Sequence, residues 1–141
     1  MNLEKETGRN FTEIIIESSP MGRTMSTAAQ IAIATGIPKV HLNYRCVEFL
    51  SDLVYKNGNP IPRLMWFNKE KEEMNEDFSL KGVEFVDTDL FREESKEIFP
   101  EDANKLQKRI VSFEKYIAKQ FREQEEGSCV AHIIITHKWF V

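Results

Sequence analysis

Apolar residues along the chain form two unbroken runs and one helically spaced stripe. The runs lie in residues 12–17, around Ile14-Ile15-Ile16, and in residues 129–136, around Ile133-Ile134-Ile135. Unbroken apolar runs of this length predict strands of a parallel sheet that are buried on both faces. Beyond Pro100, apolar residues recur at helical spacing and predict an amphipathic helix that packs on the core or forms a helix interface: Leu106, Ile110, Phe113, Ile117 and Phe121.

A second helix is predicted from Pro20 to about residue 35, because Gly36 and Pro38 then supply the usual stop signals. Residues 40–42 suggest a short extended segment, and residues 44–53 fit either a loop or a short helix.

The centre of the chain has weaker patterns. Residues 57–62 are rich in turn formers, and residues 83–91 show little periodicity. Residues 68–77 are densely charged, which predicts a solvated loop or an exposed helix face. The order strand, helix, long excursion, helix, strand predicts one α/β domain over residues 1–141, with its two strands parallel in one sheet and a variable insertion at about 53–100.

Composition narrows the classes of function. The chain has 141 residues, is 41% hydrophobic and 30% charged, and carries a net charge of -4, so nucleic acid is not the expected partner. Its apolar runs are too short to cross a membrane, and its first residues lack a signal-peptide core, so we expect an intracellular protein. Cys46 and Cys129 fit reduced thiols, and their spacing matches no metal site. No metal or other cofactor is predicted.

The segment Ser18-Ser19-Pro20-Met21-Gly22-Arg23 carries the clearest chemical signal. Ser19 is predicted as the helix N-cap, and Pro20 suits the first helical position. Arg23 would then add positive charge to a helix end that is already positive, which suggests an anion site, most often for phosphate. Ser18 and Ser19 are expected to form a turn and a cap, since no base in a triad pattern accompanies them.

The second candidate is His137, directly after the second apolar run. Ligands of open parallel sheets bind beyond the carboxyl ends of the strands, so the fold would bring Arg23 and His137 to one rim. The alternatives are a surface arginine and a structural histidine at the end of a strand. His132 is expected to be a satisfied core or interface histidine, and His41 a surface residue.

These residues resemble the histidine phosphatase superfamily, which has the phosphoglycerate mutase-like fold. The similarity lies in Ser18-Ser19-Pro20-x-x-Arg23-x-x-x-Thr27-Ala28 and in the later apolar strand that ends in Thr136-His137. Glu48 is similar to an acidic residue that follows the first helix in many members. The resemblance implies a three-layer α/β fold with a parallel sheet, of which residues 11–141 would be the middle portion.

By this resemblance Arg23 and Ser19 would bind phosphate, His137 would donate to a phosphoryl oxygen, and Glu48 would protonate the leaving group. The alternative for Glu48 is a solvated glutamate. The natural ligand would be phosphate or a phosphorylated small molecule.

The chain departs from the family at the nucleophile. Members carry it in an Arg-His-Gly motif, and none of His41, His132 and His137 lies in one. Lys138 stands where the family has glycine. The sequence therefore favours a non-catalytic relative that serves as a structural or interaction subunit. Two hypotheses stay open: a phosphomonoesterase or phosphomutase whose nucleophile comes from further sequence or a partner chain, and an unrelated α/β domain with a chance match.

A partner is also expected from the strands themselves. Two parallel strands with open edges would expose pairing groups and apolar surface. We therefore expect another chain, or a second copy, to complete the sheet beside residues 14–16 or 133–135 and to pack against residues 139–141.

Overall fold

A computed structural model of the protein describes residues 8, 10–49, 63–88, 101–124 and 127–138. Within them lie four strands and three α-helices: β1 (Glu13–Ser18), α1 (Gly22–Thr35), β2 (Lys39–Leu42), α2 (Arg63–Ser79), β3 (Glu84–Asp87), α3 (Ala103–Arg122) and β4 (Val130–Ile135). A single 3-10 turn (Tyr44–Cys46) follows β2. No helix in these ranges is both long and apolar enough to span a membrane.

The four strands form one parallel sheet in the order β3-β2-β1-β4. The predicted α/β class and the parallel pairing of the two isoleucine-rich strands are confirmed, with Ile16 opposite Ile133. Because β1 has a neighbour on each edge, the expectation of a partner strand beside residues 14–16 is wrong. A partner beside residues 133–135 stays a prediction, since β4 pairs with one strand among the described residues.

One face of the sheet forms the hydrophobic core. Alternate residues of a strand point to the same face, and here Ile16, Val40, Leu42 and Phe85 are almost fully buried. Helices α1 and α2 cover this face with small and aromatic side chains, the most buried of which are Met25, Ala28, Ala29, Ala32, Phe67 and Phe78.

The opposite face lies under α3 and is polar. It carries Glu17, His41 and His132, which alternate with the core residues. Ile15, between them, is half-buried. The prediction that the isoleucine run is buried on both faces is therefore wrong, because only one layer of helices supplies an apolar cover.

Helix α3 follows the predicted helical period but packs differently from expectation. Its apolar stripe is half-buried, and Phe121 is 58% exposed, so core packing is wrong for that end of the stripe. The buried side chain is Arg109, which forms a two-bond ion pair with buried Glu101 at 2.7 Å for each bond. The helix is attached through Arg109, which also donates to the carbonyls of Arg45 and Val47. Its apolar stripe leaves a helix interface as a prediction.

The charged segment, residues 68–77, and part of the weakly patterned segment, residues 83–91, form regular secondary structure. Residues 68–77 lie within α2, where Lys71 pairs with Asp87 at 3.0 Å and Asn75 accepts a hydrogen bond from the Phe85 amide at 2.8 Å. The prediction of an exposed helix face is confirmed, since residues 69, 72, 73, 76 and 77 are exposed, and the inner side of the helix contacts β3. Residues 84–87 form β3. The predicted turns at residues 57–62 lie outside the described residues.

Candidate functional site

Strand β1 continues one residue further than the sequence predicted. The Ser19 amide donates to the Ile135 carbonyl at 3.0 Å, which extends the sheet ladder. Helix α1 begins at Gly22, and Met21 occupies the N-cap position without a side-chain cap. The predictions that Ser19 caps the helix and that Pro20 begins it are therefore wrong. Because Ser19 stays with the strand, its hydroxyl is available to β4.

The structure brings the four sequence-predicted site residues together at the carboxyl ends of β1 and β4. Arg23 Nη2 lies 3.1 Å from His137 Nδ1, and His137 Nε2 lies 2.9 Å from the Ser19 hydroxyl. Arg23 Nη2 also forms an ion pair with the Glu48 carboxylate. Ser19 and His137 are buried, whereas the Arg23 side chain is more than half exposed.

These contacts define the proton positions on His137. Arginine can only donate, so Nδ1 must accept from Arg23, and the ring then carries its proton on Nε2 and donates to Ser19. Burial lowers the pKa of His137 below its usual 6.5, and the neighbouring Arg23 charge lowers it further. His137 is consequently a neutral donor at the pH of a cell interior.

Glu48 is positioned by α3, although it contacts α1. The Arg109 guanidinium donates to the carbonyls of Arg45 at 2.8 Å and Val47 at 2.6 Å, which fixes the segment just before Glu48. The sequence gives no signal for Arg109, because a charged residue between the apolar positions of a helix has the same pattern whether it is exposed or buried. Glu101 is eight residues away, so no i,i+4 charge pair pointed to the contact.

A second carboxylate lies at the beginning of α1. Glu70 of α2 accepts the hydrogen bond of the Gly22 amide. A Cβ at residue 22 would lie only 3.3 Å from Glu70 Oε2, so glycine permits this approach. Burial raises the pKa of Glu70, and the Gly22 hydrogen bond opposes that rise. The anion position that the sequence predicted at this helix end is therefore filled by the protein's own carboxylate.

A cavity of about 510 Å³ opens beside the rim. Arg23 and Lys138 bring positive charge to its wall, and Glu48 brings negative charge. The lining is completed by Thr24, Thr27, Ile135, Thr136 and His137. All three threonine hydroxyls donate to backbone carbonyls, those of Thr24 and Thr27 in the α1 region and that of Thr136 at Cys46. Recognition at this cavity would therefore rest on the charged side chains, Lys138 included.

The contact between Ser19 and His137 corrects one expectation, since a base does lie beside this serine. A serine nucleophile needs a base that can take its proton and a carboxylate that stabilises the resulting imidazolium. Here an arginine contacts the far ring nitrogen, and its charge opposes protonation. The geometry does not support a serine hydrolase.

The other two histidines lie on the α3 face of the sheet, away from the rim. His132 Nδ1 lies 3.0 Å from Glu17, whose carboxylate also accepts from Asn43 at 2.7 Å and Tyr116 at 3.1 Å. The prediction of a satisfied core histidine is confirmed for His132. His41 is half-buried beneath α3, so the surface prediction is wrong.

The cysteines are free, as expected for reduced thiols. Burial raises the pKa of Cys46 to about 12, which makes its thiol unreactive. Within the described ranges, no cluster of three histidine, cysteine or carboxylate side chains could hold a metal ion.

Comparison with known proteins returns no match. No protein-family description fits the sequence, and neither a curated protein nor a solved structure is similar enough to be counted as a relative.

Proposed function

We propose that this chain is a phosphate-binding domain of the phosphoglycerate mutase-like type that is not catalytic by itself and serves as a structural or interaction subunit. One observation carries the proposal: the Arg23 guanidinium and the His137 imidazole, from elements far apart in the sequence, converge at 3.1 Å on the carboxyl-end rim. Ligands of parallel α/β sheets bind at this rim.

The chemistry of the rim suits a phosphate oxygen. Arg23 offers a planar set of donors that matches phosphate, and Lys138 adds a second positive charge beside the same cavity. Neutral His137 can turn its Nε2 proton from Ser19 to a ligand, because a serine hydroxyl accepts that bond only weakly compared with an anion.

The histidines argue against catalysis within this chain. A phosphohistidine forms only where an unprotonated ring nitrogen faces the phosphorus atom. In His137 both nitrogens are engaged, and the accepting one faces Arg23. His41 and His132 lie beneath α3 on the polar face of the sheet. Without a nucleophile, the remaining donors can bind an anion but cannot take the phosphoryl group.

Glu48 then acts as an internal anion that holds Arg23 in the free protein. A carboxylate on a phosphate-binding guanidinium competes with the ligand, so removal of its charge should favour phosphate. If Glu48 were instead a catalytic acid, loss of its charge would lower turnover and would not improve phosphate binding.

The test is a titration of the 15N-labelled protein with inorganic phosphate, followed by amide shifts at Ser19, Thr24 and Thr136. We expect saturable shifts at these residues, about tenfold weaker binding in Arg23→Gln, which corresponds to roughly 1.4 kcal/mol, and tighter binding in Glu48→Gln. Lys69→Ala is the control, because it removes one exposed charge from α2. Absence of saturable shifts, or equal weakening in Arg23→Gln and Lys69→Ala, would refute the proposal.

A second candidate is an active phosphomonoesterase or phosphomutase whose nucleophile comes from elsewhere. The observation that favours it is that Arg23, Glu48 and His137 share one cavity, as an acid and two phosphate-binding groups would. Hydrolysis of an alkyl phosphomonoester that requires a partner chain or further sequence to supply the nucleophile, and that is lost in Glu48→Gln, would replace the proposal with this candidate.

A further inference from the structure

A larger cavity lies on the opposite face of the sheet, between α3 and strands β1, β2 and β4. Its volume is about 570 Å³, within the range of small-molecule sites. Its wall contains Arg45, Lys115 and Lys119, two histidines, and polar and apolar side chains: His41, His132, Glu13, Ile15, Thr88, Ser112, Tyr116 and Gln120. Arg23 and His137 do not line it, so the cavity is separate from the rim.

We propose that this cavity is a second anion site that takes the phosphate group of a small phosphorylated molecule. Three cationic side chains line it against one carboxylate, Glu13. Glu17 lies behind the wall, where Asn43, Tyr116 and His132 enclose its charge. Glu17 keeps its negative charge, so three positive side chains stand against two carboxylates, and the cavity remains net positive.

Arg45 is held in place for such a role. Its Nε donates to the Ser112 hydroxyl at 3.1 Å, and its guanidinium stacks on the Tyr116 ring at 4.9 Å. The backbone of the same residue is fixed by Arg109, which donates to its carbonyl. A guanidinium held on an aromatic ring loses little further freedom when it binds an anion.

The two lysines bring mobile charge to the same space. Lys115 makes no ion pair with the described residues, and Lys119 reaches Glu123 at 3.8 Å in a solvent-exposed pair that water and salt weaken. A bare phosphate would leave most of a cavity this large unfilled. The ligand therefore has a body that can contact Ile15 and Tyr116, with Glu13 available to a hydroxyl or amine group.

Inorganic phosphate probes the anion subsite, and the amides of Ser112, Tyr116 and His132 report on it. We expect saturable shifts at these amides, with binding about threefold to tenfold weaker in Lys115→Ala. Arg45→Lys keeps the charge but loses the planar stacked donor, and we expect it to weaken binding at least as much. Lys108→Ala is the matched control, because it removes a lysine from the same helix that does not line this cavity.

The outcomes separate this site from the rim. Arg23→Gln should weaken phosphate binding about tenfold as read at Thr24 and Thr136, and leave the shifts at Ser112 and Tyr116 unchanged. Shifts beneath α3 without shifts at the rim would support the second site and refute the proposed function. Absence of saturable shifts beneath α3, or equal loss in Lys108→Ala and Lys115→Ala, would overturn the second site.

Discussion

The two faces of the sheet are held by different forces. On one face, Ile16, Val40, Leu42 and Phe85 meet α1 and α2 in an apolar layer that excludes water. On the other face, Glu17, His41 and His132 lie under α3, and two cavities open between the helix and the strands. Apolar burial stabilises in proportion to area, whereas the polar face depends on a few directed bonds.

Because of this difference, we expect the apolar face to determine stability and the polar face to offer space for ligands. The described side chains of the apolar layer are almost fully buried, so these residues matter for stability. Helix α3 is attached to the polar layer by directed contacts, which include Arg109 with the Val47 carbonyl and Tyr116 with Glu17, and space for solvent or ligand remains beside them. The rim lies where the layers meet, since Arg23 comes from α1 and Glu48 is positioned by Arg109 of α3.

The largest expected effect comes from Arg109→Met. The substitution would leave the Glu101 carboxylate buried without its partner and two backbone carbonyls without their donor. Removal of one partner of a buried ion pair typically costs about 3–5 kcal/mol. Urea unfolding should show this loss, whereas Lys108→Ala should change the free energy of unfolding by less than about 0.5 kcal/mol.

A double variant tests whether the charge itself is the cause. In Arg109→Met with Glu101→Leu, no buried charge remains, and replacement of a buried pair by apolar residues is often neutral. We expect the double variant to be more stable than Arg109→Met alone. If it is less stable, apolar packing cannot replace the pair, and α3 depends on the carbonyl contacts.

The second prediction compares neighbouring isoleucines on opposite faces. Ile16→Ala should cost about 2–5 kcal/mol, because it opens a cavity in a fully buried layer. Ile15→Ala should cost about 1 kcal/mol, since Ile15 is half-buried against a polar cavity. Chemical denaturation of both variants measures the difference. Equal losses would mean that the α3 face contributes as much apolar stabilisation as the core face, contrary to the comparison.

Sequence alone predicted the apolar elements better than the charged contacts. Isoleucine runs and helical spacing predict elements, because apolar periodicity follows directly from burial. They led to the parallel pairing of β1 and β4 and to Arg23 beside His137. They could not reveal Arg109 with Glu101, or Glu70 at Gly22, because a charged residue has the same pattern whether it meets water or a partner from a distant element. Sequence alone therefore missed charged contacts on both sides of the sheet.

The third prediction concerns the buried carboxylate of the polar face. Glu17→Gln removes the buried charge and replaces one oxygen by an amide donor, so the contacts of Tyr116 and His132 persist only if both groups accept instead of donate. An unsatisfied buried polar group costs about 1–3 kcal/mol. Glu13→Gln, four residues earlier on the same face, is exposed and should cost less than about 0.5 kcal/mol. A similar small cost for both variants would show that the Glu17 cluster rearranges freely.

The smallest expected effect is a pH dependence at the rim, where both layers contribute to the environment of His137. Burial, Arg23 and Arg109 all lower its pKa in the folded state below 6.5, and Glu48 opposes them. As pH falls below about 6.5, the unfolded chain takes up a proton that folded His137 resists. The stability that the neutral ring contributes is thus complete above that pH and decreases as the solution becomes more acidic.

His137→Gln should remove this contribution, because glutamine does not titrate in the range. We expect the difference in free energy of unfolding between pH 7 and pH 5.5 to be smaller in His137→Gln than in the unmodified chain, with His132→Gln as the comparison from the other face. Glu48→Gln should have the reverse effect and lower the pKa of His137 further. If His137→Gln leaves the pH dependence unchanged while Glu48→Gln also has no effect, the ring is accessible to solvent, and the rim lacks the closed geometry that the phosphate proposal requires.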